Sequence, residues 1–306
     1  VENSGYMAFG ESNRIQTGNV SKGLAVGNTN TGSVANFSTQ GAYVIGSNNV
    51  IGTSVTSNLT FGNQNNNAGT NSQGLILGYK NRLVDGEGVI AIGHSNNSIM
   101  GAGSGVVIGH GNTTSGNSDA ILIGSQNYEI SGTAALGISN TGGMNVMLGK
   151  GNKANQVGVS IGLDNCASGM RGIAIGNHNI SETNTGARGS IALGYINSAK
   201  GESIALGFSN SGGSGGGSVS MGFGNIGSGP GLNNTQPAIT LGYFNKVKAT
   251  SIRTGGVAIA FGGSNSSLNA QGGTTILGSQ NTLSGKFSTA IGKSNKDLQS
   301  GQTSLT

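Results

Sequence analysis

Charge is scarce in this chain. Lys, Arg, Asp and Glu make up 8% of its 306 residues, against a usual ~25%. Tryptophan is absent, proline occurs only at Pro230 and Pro237, and Cys166 is the single cysteine. Each shortage argues against a class of function. With ten carboxylates and three histidines, no Gly-x-Ser-x-Gly elbow set between strand and helix and no zinc-ligand spacing can be found. The sequence therefore offers no catalytic residue, no metal ligand set and no cofactor site, and reads as a non-enzyme. Lys and Arg are few and scattered, and the net charge is +5; nucleic-acid binding calls for clustered basic residues with interleaved aromatics. The densest cationic stretch, Lys246, Lys248 and Arg253, reads as a solvated loop. Cys166 cannot form an internal disulfide and reads as a packing or surface residue. No apolar run approaches the ~20 residues of a membrane-spanning helix. No signal peptide is found and the chain opens on Val1, which reads as a processed or excised piece.

What is abundant is glycine, 60 residues, about three times the usual ~7%. Gly with Ser, Asn and Thr at low charge fits a disordered linker. The apolar 34% argues otherwise, because it recurs at regular intervals. One unit appears nineteen times: apolar, any, apolar, Gly, any, any, Asn. Clear copies are Ile90-Ala91-Ile92-Gly93-His94-Ser95-Asn96 and Ile191-Ala192-Leu193-Gly194-Tyr195-Ile196-Asn197. Among the pairs expected to form turns are Gly93 with Asn96, Gly109 with Asn112, Gly124 with Asn127 and Gly162 with Asn165. Gly176 with Asn179, Gly194 with Asn197 and Gly207 with Asn210 continue the series. From Gly10 to Gly292 the spacing averages about 15.7 residues, with extremes of 12 and 20. Repetition at such a period is the mark of a solenoid.

Each part of the unit has a physical reason. Alternate Ile, Val or Leu side chains go to one face of a strand. The Ala, Ser or Thr between them packs closely on the other face. Gly ends the strand at a tight corner that needs positive φ. Asn tolerates left-handed backbone and, stacked in register, can bond its equivalent one coil away. A weaker half-unit follows, as in Asn165-Cys166-Ala167-Ser168-Gly169, and reads as a second short strand and turn. Helix is disfavoured, since each Gly costs ~1 kcal/mol against Ala. The expectation is an all-β chain, a parallel β-roll or β-solenoid of about 19 short coils forming one repeat domain over residues 1–306. At ~4.8 Å per coil its rod would be roughly 85 Å long. A two-strand coil has a thin core, so lateral association of several chains is expected. Extra Gly, Ser, Asn or Pro between Gly176 and Gly194 and from Gly207 to Gly262 marks surface loops, where binding is often found. Ser304-Leu305-Thr306 matches the start of another unit, so the native protein is expected to continue.

The stretch from Ser190 to Gly207, with Ser190-Ile191-Ala192-Leu193-Gly194 followed by Ser198-Ala199-Lys200-Gly201, resembles the head repeat of YadA-like trimeric autotransporter adhesins. That repeat runs Ser-Val-Ala-Ile-Gly-x-x-Ser-x-Ala-x-Gly. The likeness covers most of the chain loosely and residues 159–208 closely. It implies a left-handed β-roll, three chains packed side by side, and display outside a bacterial cell as an adhesin binding a surface protein or glycan. The chain departs from the pattern in three ways. Asn stands where the family usually has Ser, coil lengths wander from 14, and neither a stalk nor a membrane anchor is present in the sequence. Virion tail fibres use similar trimeric β-structure, so a receptor-binding or purely structural fibre is the alternative.

Few side chains stand out as sites. His94 and His110 follow repeat glycines in successive coils and should stack about 5 Å apart, but two ligands do not make a zinc site. Gly212 to Gly217 reads as a flexible loop, lacking the Gly-Lys-Ser/Thr of a phosphate loop. Asp is too rare for calcium-binding nonapeptide repeats. An ice-binding face would need Thr in rows, and only Thr60 and Thr240 occupy the middle strand site. The most informative column follows the repeat Gly: Tyr195, Phe208, Phe223 and Tyr243, with Phe244 alongside. It reads as an aromatic ladder that stabilises the roll or is buried between chains, or as a ligand-facing stripe.

Overall fold

The computed structural model describes residues 6–19, 23–36, 42–51, 58–67, 73–84, 88–100, 103–116, 119–182, 189–213, 217–228, 237–249, 257–270, 273–284 and 287–297. Among these, every regular element is a β-strand. The chain divides into two compact units, Val1–Lys150 and Gly151–Thr306, and the same coil repeats in both. The loop insertions at 183–188, 229–236 and 250–256 lie outside the described residues, as do Arg253 and residues 214–216 of the Gly212–Gly217 run.

Each coil contributes one strand to each of two parallel ladders, and past the first two coils the second strand is the shorter. In the first unit the long strands Val89–His94, Gly105–His110 and Ala120–Ser125 pair in register, Ile90 on Val106 on Ile121. Their short partners are Asn97–Met100, Thr113–Gly116 and Tyr128–Glu129. In the second unit Ile191–Tyr195, Ile204–Phe208 and Val219–Phe223 pair likewise, above Ser198–Lys200, Ser211–Gly212 and Ile226–Ser228. This is the parallel β-solenoid that the repeat requires. Gly212 stands buried on a short strand, and Lys246 and Lys248 stand exposed on the strand Lys246–Ala249, so neither expected loop is a loop at these residues.

The alternation of the long strand settles which face is inside. The small middle residue points inward: Ala91, Ala174, Ala192, Ala205, Ser160, Ser220, Thr60 and Thr240 are all fully buried. The larger residues on either side point outward and stay half-exposed or exposed, as with Ile121 at 46% and Leu148 at 47%. This reverses the usual sorting of large apolar side chains to the interior. The inward position is not confined to small residues, since Ile76, Leu122, Met147 and Ile276 also occupy it fully buried. The second interior row comes from the short strand, two residues after the Asn, and includes Leu83, Ala154, Ala199 and Val247.

Two devices turn the corner. The repeat Gly has φ between +106° and +128° in all nineteen coils, among them Gly93, Gly109, Gly124, Gly162, Gly176, Gly194 and Gly207. A Cβ at Gly207 would land on the carbonyl of Gly222 one coil on, so no side chain is admissible. The asparagines correct the expectation. Asn96, Asn112, Asn127, Asn165, Asn179, Asn197 and Asn210 do not take the left-handed turn. All seven are buried, just past the bend, at the entry to the short strand. The residue before each one turns instead: Ser95 (φ 54°) before Asn96, Gly111 (φ 63°) before Asn112, Gln126 (φ 56°) before Asn127 and Ile196 (φ 54°) before Asn197. Phe244 (φ 50°) does the same before Asn245.

That frees Asn for a different task. Asn197 donates from Nδ2 to Asn179 Oδ1 (3.0 Å) and to the Gly207 carbonyl (2.6 Å), while its own N–H donates to the same Asn179 oxygen (3.0 Å). Its Oδ1 then accepts from Asn210 N–H and Nδ2 (3.0 and 3.1 Å). Asn112 repeats the pattern in the first unit. Its Nδ2 donates to Asn96 Oδ1 (3.1 Å) and to the Gly124 carbonyl (2.9 Å), and its Oδ1 accepts from Asn127. Within each unit this buried amide ladder runs coil to coil, and it uses the full hydrogen-bonding capacity of the side chain.

Candidate interaction surface

With the interior closed by packed side chains, the chemistry that remains is on the outside. Counting from the repeat Gly, the residues one and three places before it form two outward apolar columns. In the first unit they include Phe9, Ile92, Ile108, Ile123, Leu136 and Leu148 beside Met7, Ile90, Val106, Ile121 and Val146. In the second they include Leu193, Leu206, Met221, Leu241 and Leu277 beside Ile173, Ile191, Ile204, Val219 and Ile239. The outward side of the short-strand ladder is largely polar, with Arg14, Thr31, Lys153, Lys246 and Lys296 exposed. Each unit therefore has one greasy flank and one wet flank. A shallow open groove of about 550 Å³ follows the greasy flank of the first unit, between Val106, Ile121, Ala134 and Val146. The carboxylate on its rim, Asp119, accepts the Ser104 N–H at 2.8 Å.

The aromatic column forms as the sequence implies. Tyr195, Phe208, Phe223 and Tyr243 stack with centroids 5.1, 4.8 and 5.5 Å apart and planes within 22° of parallel. Phe244 meets Phe223 edge-on at 5.2 Å and Tyr243 tilted at 4.3 Å. All five rings are exposed, between 39% and 52%. The rings cover one another's faces, so what the column offers to solvent is mainly ring edges. The sequence reading missed Ile196, whose exposed side chain sits at a left-handed corner beside Tyr195. A β-branched residue there costs energy that Gly or Asn would not. The nineteen corner positions are otherwise polar or glycine, apart from Phe244. The apolar corner residues thus flank the two ends of the ladder.

In the first unit His94 and His110 stack at 5.0 Å, as expected, and Tyr79 extends that stack at 5.1 Å with the Lys80 ammonium 5.0 Å from its ring. Tyr79 follows Gly78 and was findable by register alone. Among the described residues no three metal-capable side chains cluster. Cys166 stands half-buried and unbonded on a short strand. Thr60 and Thr240 face the interior, so these two form no row toward solvent. Glu129 is the unexpected group. It occupies the interior row of a short strand, only 1% exposed, with Oε1 unpartnered. Burial pushes its pKa up to about 7. Gly142 lies in register beside it, with no side chain to contend for the space. No family model matches the chain, and neither a curated protein nor a solved structure matches it.

Proposed function

We propose that this chain is a non-enzymatic extracellular attachment module, a rod of β-roll coils that assembles as a homotrimer and binds ligands on a surface, in the manner of the YadA-like heads its repeat resembles. The observation that carries the reading is the greasy flank. Two outward columns of Ile, Leu, Val, Met and Phe run along each unit, and they stay outside even where the interior holds only Ala, Ser, Thr and Gly. A contiguous apolar face of that extent marks an interaction site. Like residues sit at like heights, so copies of the chain packed side by side present matching ladders to one another. The polar short-strand flank, the loops and the aromatic corner are left for attachment at a bacterial surface.

Mass in solution tests the assembly: light scattering should give three times the 30.1 kDa chain. A stable monomer overturns it. Binding to an array of matrix proteins and glycans tests attachment. No binding there, with head-to-tail filaments in micrographs, would favour the purely structural fibre. A virion tail fibre would share the trimer and differ in its receptor.

A further inference from the structure

The aromatic ladder in the second unit has two unlike ends. Below Tyr195 the next residue in register is Asn177, whose side chain occupies the column and bonds the ring of His178. Above Tyr243 the residue in register is Gly263, and above that Ser279. Gly263 is not one of the positive-φ glycines, so its backbone would accept any side chain. A Cβ built there meets nothing closer than the Tyr243 carbonyl oxygen at 3.9 Å, whereas the repeat glycines have no room at all. The column of rings therefore ends at Tyr243, with room for one more ring over it. Phe244 does not fill the gap, since its ring lies over Gly224 in the preceding coil. The outer face of Tyr243, the most exposed ring of the column at 52%, is left uncovered. It borders a space one coil high, with Ser264 at the corner, Ser279 above and Gln280 beside it; the nearest charge in the column is Lys293, one coil beyond Ser279.

We propose that the Gly263 gap is a binding subsite for a single neutral pyranose ring of a surface glycan, stacked on Tyr243 as the fifth ring of the ladder. The proposal rests on the attachment reading and names a ligand class and a place for it. A pyranose has an apolar C–H face, which suits the tyrosine, and hydroxyls around its edge, which suit a rim of serine and glutamine. A phenyl or indole ring from a protein would gain the same stack but pair none of the rim groups. An anionic or cationic sugar would find no counter-charge at Ser264, Ser279 or Gln280.

One stacked ring supports affinity only in the millimolar range; repetition in a trimer would raise it by avidity. Saturation-transfer NMR on the full chain, with methyl β-galactopyranoside, methyl α-mannopyranoside and methyl β-N-acetylglucosaminide as probes, should show transfer to at least one sugar. N-acetyltryptophanamide serves as the aromatic comparator. Gly263→Phe completes the ladder with the protein's own ring. It should keep or raise the melting temperature while cutting sugar transfer at least fivefold. Tyr243→Ala should cut it equally, and Tyr195→Ala should leave it unchanged. No sugar transfer, transfer indifferent to Gly263→Phe, or transfer to the comparator alone each overturns the proposal. Array binding separates this from the broader reading. If wild type and Gly263→Phe bind the array alike, attachment stands and this subsite falls. If wild type binds nothing on the array, attachment itself falls, and the NMR still decides the subsite.

Discussion

Two stretches of this molecule carry the same frame around opposite fillings. Between Gly74 and Met147 the interior holds Ile76, Leu83, Val89, Val107, Leu122 and Met147; between Ser160 and Gly227 it holds Ser160, Ala174, Ala192, Ala205, Ser220, Gly212 and Gly227. Side chains in both sets are buried equally well. The corner geometry does not change either: Gly93 and Gly207 have φ of 119° and 113°, and Asn96 and Asn197 bond the preceding Asn at 3.0 Å in each case. A core of Ala, Ser and Gly buries too little side-chain area to stabilise much at ~25 cal/mol per Å². What is common to both stretches, the Gly corner and the Asn ladder, must therefore hold the coil. The small-cored stretch also bears the longer aromatic column, so part of its apolar surface has moved from inside to outside.

That comparison can be broken at several points. The largest effect should come from the corner: Gly93→Ala and Gly207→Ala should each cost more than about 4 kcal/mol or prevent folding. Denaturant melts should show no distinction between the stretches; a mild effect in either would mean the frame is not shared. Next is the ladder. Asn197→Ala strips partners from Asn179 Oδ1, the Gly207 carbonyl and two donors of Asn210, and should cost about 3–4 kcal/mol. Asn96→Ala should cost the same, with amide exchange quickening in both neighbouring coils.

The fillings should then separate the stretches. Leu122→Ala should cost about 3 kcal/mol as a cavity, against about 1 for Ala205→Gly, mostly from backbone freedom. Equal costs would show that the interior contributes alike in both. The smallest effect is a pH-dependent one at Glu129. Its folded pKa of about 7 exceeds the ordinary 4.5, so below pH 4.5 both states are protonated and nothing is lost. Between pH 4.5 and 7 the unfolded chain ionises while the folded one holds its proton, and stability falls; above 7 the loss levels off at about 3 kcal/mol. Glu129→Gln should remove that slope, read as the difference between the two melting curves across the window. A parallel pair of curves would place the carboxyl in water.

The repeat was legible in the sequence because its parts are chemically irreplaceable. Only Gly fits over the next coil's carbonyl, and only Asn has both the donors and the acceptor that the ladder needs. The aromatic column and the His94–His110 stack followed from register. Which face lies inside was not legible. The alternation in Ile191-Ala192-Leu193 is the same whether Ala or Ile points inward. The left-handed corner was assigned to Asn because Asn favours it. The residue that takes it has no signature, being Ser, Thr, Asn, Gln, Asp, Lys, His, Gly, Ile or Phe in different coils. Glu129 stood in plain sight two places after Asn127, at a position whose interior role only the folded coil reveals. The open place over Tyr243 at Gly263 needed the same register plus the knowledge that this glycine is not a corner.

The asparagine ladder has a direction. Within each unit Nδ2 donates back to the preceding coil's Asn oxygen and forward to the next coil's Gly carbonyl, while each Asn oxygen accepts only from the following coil's two donors. A finished coil thus offers its successor a ready-made acceptor in a fixed place, so growth of ordered structure can proceed from one coil to the next in the order the chain is made.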